Sequence, residues 1–385
     1  MLKVATGSSE ETDSVEAFEE AYEIAMEDLG GMQPKAALVF AGIDLDLSVV
    51  ADELRKQQPD IVIAGCTTDG EVATPEGFLE DSLVITLFAS DDVSISVGMG
   101  ANASSAPEQA TADAVAMAKA ATSGTPALCI AMPEGIGTNI NSIVEGLRDA
   151  LGQDFPIVGG AAGDQLRFQG THQLCNDQMV SDAVVVMLLS GDITVSCGVS
   201  TGYTPLGSVH KVTKSEGSVI QEIDGRPAVD LYKDYVQAQS IFFPLAVHVP
   251  GREGFLLSSP QHFDEETGAI HFVNPVAADR EVQIATASRD EIVSASRAAV
   301  QQAFDSFPDD LVPDAALVFS CAGRRAALGT RTGEEYESFE DIIGGAFPTA
   351  GFYTYGEISP VGKSGKSLPH TNAFVAVLLG SPSAS

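Results

Sequence analysis

The strongest constraint on how this chain folds is that it repeats itself. Asp92-Val93-Ser94-Ile95-Ser96-Val97-Gly98 is answered by Asp192-Ile193-Thr194-Val195-Ser196-Cys197-Gly198 at an offset of 100 residues, and Leu83-Val84-Ile85 by Ala183-Val184-Val185 at the same offset. A repeated unit fixes architecture better than local propensity does, because every copy has the same faces to bury. Three copies are expected, the third cut short by the C-terminus.

Each copy opens with a strand, at Lys3 to Gly7, Ser96 to Gly100 and Gln283 to Ala287. A helix follows. In the first copy Val15, Phe18, Tyr22, Ala25 and Leu29 recur at three-to-four spacing, with Asp13 or Ser14 as N-cap and Gly30 as terminator. The other two helices run from about Pro107 to Ala121 and from Ser288 to Phe304. Next come continuous apolar runs, Ala37 to Phe40, Ala127 to Ile130 and Ala316 to Phe319, which suit strands covered on both faces. Second helices follow at Ser48 to Gln57, Asn139 to Leu151 and Tyr336 to Ile343, and then strands that end in glycine at Gly65, Gly160 and Gly351.

This alternation predicts an α/β fold in which strand-helix-strand units form mixed layered sheets. The stretch from about Gly202 to Arg280 breaks the pattern with turn-rich segments such as Asp224-Gly225-Arg226-Pro227, and reads as an α+β insertion that begins a second domain. The expected domains are 1–205 and 206–385.

Composition narrows the function classes. With 54 acidic and 20 basic residues the formal charge is −34, which repels nucleic acid and anionic membranes. No run of 18 apolar residues is present to span a bilayer, and the N-terminus lacks a secretory pattern, so cytoplasmic residence is expected. The five cysteines are odd in number and widely spaced, as reduced thiols are. There is no H-E-x-x-H pair and no C-x-x-C, so no metal site is expected.

The glycine-ended strands lead into loops with chemical potential. Gly65-Cys66-Thr67-Thr68-Asp69-Gly70-Glu71 and Gly351-Phe352-Tyr353-Thr354-Tyr355-Gly356-Glu357 share the pattern G-x-x-T-x-G-E. Glutamate placed there accepts from a ligand ammonium, or else caps a turn through backbone amides. The second copy departs from the pattern with Gly159-Gly160-Ala161-Ala162-Gly163-Asp164. Arg324, in the basic pair Arg324-Arg325, clamps a ligand carboxylate or else a neighbouring acid. Cys66, with His172 or His210 as base, is a nucleophile candidate or a packed thiol.

With these segments in view, and with Pro156-Ile157-Val158-Gly159-Gly160, Asp224-Gly225-Arg226-Pro227-Ala228 and Phe319-Ser320-Cys321-Ala322-Gly323-Arg324, the chain resembles the FIST family. The resemblance implies a sensory module for small ligands such as amino acids, acting on a signalling protein such as a histidine kinase or a cyclic-dinucleotide enzyme. The expected ligand-binding residues are Asp69, Glu71, Asp164, Arg324, Tyr353, Tyr355 and Glu357, without a cofactor. Some relatives look like haem proteins that sense nitric oxide. On that alternative, His248 and His370 are the candidate axial ligands. A cysteine-dependent hydrolase is the third reading.

Overall fold

The computed structural model describes residues 2–236, 242–250, 254–361 and 365–382. Unit 1 runs β1 (Leu2–Ser9), α1 (Ser14–Leu29), β2 (Ala36–Ala41), α2 (Leu47–Gln57), β3 (Val62–Thr67), the hairpin β4 (Glu71–Ala73) and β5 (Gly77–Leu79), and β6 (Leu83–Ser90). Unit 2 repeats that order as β7 (Ser94–Ala101), α3 (Pro107–Ala121), β8 (Pro126–Pro133), α4 (Ile140–Leu151), β9 (Ile157–Gly160), β10 (Gln173–Cys175), β11 (Gln178–Val180) and β12 (Ala183–Ser190).

Unit 3 starts at β13 (Thr194–Ser200) and is then interrupted by the insertion. The insertion holds β14 (Thr204–Glu216), β15 (Val219–Ile223), β16 (Arg226–Pro227), α5 (Ala228–Val236), β17 (Leu245–His248), β18 (Leu256–Ser258), β19 (Pro260–Phe263), β20 (Ile270–Phe272) and β21 (Glu281–Thr286). Unit 3 resumes with α6 (Arg289–Ser306), β22 (Ala315–Cys321), α7 (Ala322–Leu328), α8 (Gly333–Ile343), β23 (Thr349–Thr354), β24 (Glu357–Pro360), β25 (Ser367–His370) and β26 (Phe374–Gly380).

Two expectations about the third copy are corrected. The segment from Gln283, expected to open it, lies in β21 and pairs with β14 and β17 inside the insertion. The opening strand is β13, antiparallel to β26 as β1 is to β6 and β7 is to β12. Nor is the copy truncated, because β26 fills the place of β6 and β12. The insertion between β13 and α6 breaks the offset that reveals the other two copies.

The three sheets share one order: β1-β6-β2-β3, β7-β12-β8-β9 and β13-β26-β22-β23, each with a parallel pair at its third and fourth strands. A hairpin from a different unit completes each one. β10–β11 joins the sheet of unit 1, β24–β25 that of unit 2, and β4–β5 that of unit 3. The division expected at residue 205 falls inside β14, and the pairings of β13 with β26, β4 with β23 and β9 with β24 cross it.

The inner faces of all three sheets enclose a single core. Phe40, Ile130, Val185, Phe319, Phe352 and Val377 are buried together in it, and the Phe40 and Phe352 rings lie 4.6 Å apart. The outer faces carry the helices, α1 and α2 on the first sheet, α3 and α4 on the second, and α6 and α8 on the third. Caps fix where the helices begin. Asp13 accepts from the amides of Val15 and Glu16 at α1, and Ser288 with Glu291 forms a capping box at α6.

One glycine per unit lets helix and sheet touch. A Cβ on Gly7, Gly98 or Gly198 would fall 2.0, 2.1 or 1.8 Å from the carbonyl oxygen of Ala21, Ala114 or Ala299 on the helix above. Any larger residue at these positions pushes the helix off its sheet.

Candidate functional site

The recurring T-x-G-E segment forms a turn that closes on itself. Thr354 Oγ1 accepts from the Gly356 amide at 2.9 Å and donates to Glu357 Oε1 at 3.0 Å. In unit 1, Thr68 Oγ1 accepts from Gly70 N at 3.3 Å and donates to Glu71. The second carboxylate oxygen then ties the turn to the start of the unit's last long strand. Glu71 Oε2 accepts from the hydroxyl and amide of Ser82, and Glu357 Oε2 from the Ala373 amide at 2.9 Å.

Both glutamates are fully buried. Burial lifts Glu71 to about 7 and Glu357 to about 8, against the opposing hydrogen bonds. In the structure these carboxyl groups build the repeat, and their bonding capacity is spent on the chain itself. The strand glycines do similar work, since a Cβ at Gly65, Gly159 or Gly351 would meet the carbonyl oxygen of Val39, Ala131 or Val318 at 2.2, 2.1 or 1.9 Å.

Unit 2 reaches the same end with different residues. Gln173 opens β10 as Glu71 opens β4 and Glu357 opens β24. Its amide oxygen accepts from Ala183 N at 3.3 Å, and the buried Glu134 accepts from Asp182 N at 3.0 Å. Glu134 and Gln173 thus divide the task of one glutamate, a role the sequence does not announce. The chain between β9 and β10 is correspondingly longer, and it carries Asp164.

Arg324 and Tyr353 are also committed internally. Arg324 is fully buried, and Glu335 accepts from its Nε at 2.8 Å and from its Nη2. Its remaining donors reach the carbonyls of Thr201 and Ile292, each at 2.8 Å, and Ser296 Oγ at 2.9 Å. Tyr353 donates to Glu335 Oε2 at 2.8 Å, beside Ser320 at 3.0 Å. This satisfied buried ion pair leaves no donor for a ligand.

Asp69, Asp164 and Tyr355 do come together, where the loops of all three units converge. Gly163 packs over Asp69, with an added Cβ only 2.8 Å from the Asp69 amide. Tyr355 donates to Asp164 Oδ1 at 2.6 Å and accepts from the Leu166 amide at 2.7 Å. Asp164 also accepts from the amides of Phe168, Gln169 and Gly170. Burial pushes the Asp164 carboxyl up, but the Tyr355 hydroxyl and these amides outweigh it and hold the group below the usual carboxylate range.

The loop so held is strained. Gln165, Leu166 and Phe168 have φ of 58°, 58° and 52°, a left-handed conformation costly for residues with a Cβ. Phe168, 59% exposed, stacks on the Tyr355 ring at 5.2 Å.

Beneath this loop Asp69 is buried, and its carboxylate faces the Arg325 guanidinium and the Leu166 amide without a well-aligned hydrogen bond to any described residue. Arg325 Nη1 is 3.2 Å from Oδ2 and donates to the Asp69 carbonyl at 2.6 Å, while Nη2 pairs with Glu80 at 2.6 Å. Burial raises the Asp69 carboxyl to about 6 against the pull of Arg325.

The two histidines expected as axial ligands are both engaged by neighbouring side chains. His248 Nε2 is bonded to Gln283 Oε1 at 2.9 Å. His370 Nε2 lies 3.1 Å from Ser359 Oγ in a buried hairpin. Cys66 is fully buried, and burial, with Glu71 and Glu134 nearby, holds its thiol well above the usual range.

Two family models match, the FIST N domain over residues 35–226 and the FIST C domain over 228–360. The chain belongs to the FIST family. FIST domains are signal-transduction sensor domains that bind small ligands. In this FIST chain the two matched regions meet inside the insertion, at the start of α5.

An uncharacterized Mycobacterium tuberculosis protein is 26% identical over 384 residues, covering 94% of this chain and 95% of the relative. An uncharacterized Mycobacterium bovis protein is 27% identical over 224 residues, or 53% of this chain and 56% of its own length. Among solved structures, a cyanuric acid hydrolase from A. caulinodans covers 100% of this chain and 99% of its own, with a TM-score of 0.41 and 10% identity. That similarity is too distant to carry chemistry across. No described helix is long and apolar enough to cross a membrane.

Proposed function

We propose that this FIST protein is a cytoplasmic sensor that binds a small metabolite with a positively charged nitrogen, an amino acid in the first instance. It then regulates a separate signalling protein such as a histidine kinase or a cyclic-dinucleotide enzyme. The observation that carries the reading is Asp69, a buried carboxylate that faces Arg325 but has no well-aligned hydrogen bond among the described residues, under a loop clamped by Asp164 and Tyr355. A buried carboxylate is costly unless it is paired, and a ligand ammonium supplies what Arg325 alone does not.

Arg325 takes the role first given to Arg324. Its outer partner, Glu80, is 56% exposed, so a ligand carboxylate can replace it at the guanidinium. A zwitterion thus finds an acid and a base side by side. Because the site draws on three units, occupancy that favours one arrangement of the loops shifts the population a partner meets. The buried Cys66 supports a binder rather than a catalyst.

The test is a thermal-shift screen over the amino acids, since a ligand of the native state raises Tm. At least one is expected to give a saturable rise that Asp69→Asn removes and Glu357→Gln leaves in place. Silence across the panel, or a response intact in Asp69→Asn, overturns the reading.

A further inference from the structure

A second cleft, of about 200 Å³, lies at the seam between the insertion and unit 2, lined in part by Asn141, Val247, Leu256, Asn274, Val276 and Arg280. In a chain with 54 acids and 20 bases, arginines find acidic partners readily. Arg167, Arg226, Arg297, Arg324, Arg325 and Arg331 do so. Arg148 and Arg289 reach backbone carbonyls instead, whereas Arg55 shares with Arg280 the lack of an acidic partner among the described residues. Arg280 forms no ion pair and its guanidinium no hydrogen bond among the described residues. The adjacent Asp279 is taken by Lys211 at 2.7 Å.

The other walls suit an anion with an apolar body. Asn141 stands in the first turn of α4, whose leading amides are capped by Asn139 Oδ1, and its side-chain amide bonds Asn274 Oδ1 at 3.2 Å. Asn274 in turn donates to Thr371 Oγ1 at 2.8 Å. Val247, Leu256 and Val276 are aliphatic, and among the described residues no acidic side chain lines the cleft. A free guanidinium, the Asn141 and Asn274 side chains and aliphatic walls in one small cleft match a short carboxylate.

We propose that this cleft is a second ligand site, which takes a small monocarboxylate with a short branched aliphatic tail. Arg280 meets the carboxylate, and the tail lies against Val247, Leu256 and Val276. The ligand spans the insertion, α4 and Pro369 of β25, so its binding fixes the insertion against the core.

The experiment is thermal shift with 3-methylbutanoate, inorganic phosphate and chloride at matched ionic strength. The expected result is a saturable rise in Tm with 3-methylbutanoate alone, lost in Arg280→Ala and retained in Asp69→Asn. Retention in the Asp69 variant separates this site from the one under the unit 2 loop.

A response that survives Arg280→Ala, no response in the unmodified protein, or an equal response to phosphate overturns the proposal. Should Arg280→Ala fail to fold by circular dichroism, Arg280→Lys keeps the charge and loses the two-pronged donor. Its midpoint is expected to be about tenfold weaker, and an unchanged midpoint overturns the assignment.

Discussion

The Tyr355 hydroxyl stands between Asp164 Oδ1, to which it donates at 2.6 Å, and the Leu166 amide, from which it accepts at 2.7 Å. One phenol from unit 3 therefore holds both ends of a strained turn in unit 2. Removing it is the direct way to learn whether that turn is a door or a wall.

Tyr355→Phe keeps the ring that stacks on Phe168 and deletes only the hydroxyl. A hydrogen bond to a charged group contributes about 1.5–3 kcal/mol, so opening of the loop is expected to become about tenfold more frequent or greater. Amide hydrogen exchange at residues 165–170 reads this change, with little effect expected on exchange in the central strands. Equal protection of the loop in both proteins would mean that Tyr355 is not its latch.

Arg324→Ala leaves Glu335 charged and buried, with only the Tyr353, Ser320 and Ser296 hydroxyls as donors among the described residues. A loss of about 3–5 kcal/mol is expected in urea denaturation. Replacing the pair together, as Arg324→Met with Glu335→Leu, is expected to cost less than the single change. If the single variant unfolds at the same urea concentration as the unmodified protein, the ion pair is not what secures α7 to α6 and α8.

Stability is expected to fall as pH rises from about 4.5 to 8. Glu357 is held at about 8 and Glu71 at about 7, both above the ordinary 4.5, so the native state binds more protons than the unfolded one across that window. The stabilisation is complete below the unfolded value and lost as pH passes the folded one. Self-repulsion of the acidic surface adds a slope of the same sign. Glu357→Gln separates the two, because it flattens the profile only between about 4.5 and 8; an unaltered profile would show that Glu357 titrates normally.

Amino-acid binding is expected to weaken as pH falls through 6. Asp69 sits at about 6 in the free protein, and only its ionised form pairs with an ammonium. Calorimetric titrations between pH 5 and 8 should show affinity rising to a plateau above pH 7, while any weak binding left in Asp69→Asn stays level. A profile unchanged below pH 6 removes Asp69 from the site.

Much of the fold is legible in the sequence, because the repeat is written in local patterns. The cap at Asp13, the glycine after Leu29 and the apolar stripe between them delimit α1 without reference to the rest of the chain. What is illegible is non-local. Nothing in Glu71-Val72-Ala73 says that it pairs with β23 rather than with its own unit. The insertion likewise hides the homology of β13 to β1.

The site was half legible for a related reason. A motif that recurs marks what every unit needs, so Glu71 and Glu357 recur because they close turns, while the position between Thr and Gly is free to vary. Asp69 and Tyr355 occupy that position, and both face the loop of unit 2. Between Arg324 and Arg325 the sequence offers no choice, yet consecutive helical residues point about 100° apart, one into the core and one toward Asp69. Phe168, Glu134 and Gln173 carried no motif at all. The offset that matches Ser82 to Asp182 was the available pointer to the last two.

The exchange of hairpins also sets a timetable for synthesis. The β4–β5 hairpin leaves the ribosome early, but its partner β23 and the strand β26 that completes the same sheet are among the last to emerge. The nascent chain therefore carries an open sheet edge through most of translation, and a product released before β26 cannot close it. A chain that stops before β26 lacks the strand that joins β13 to β22.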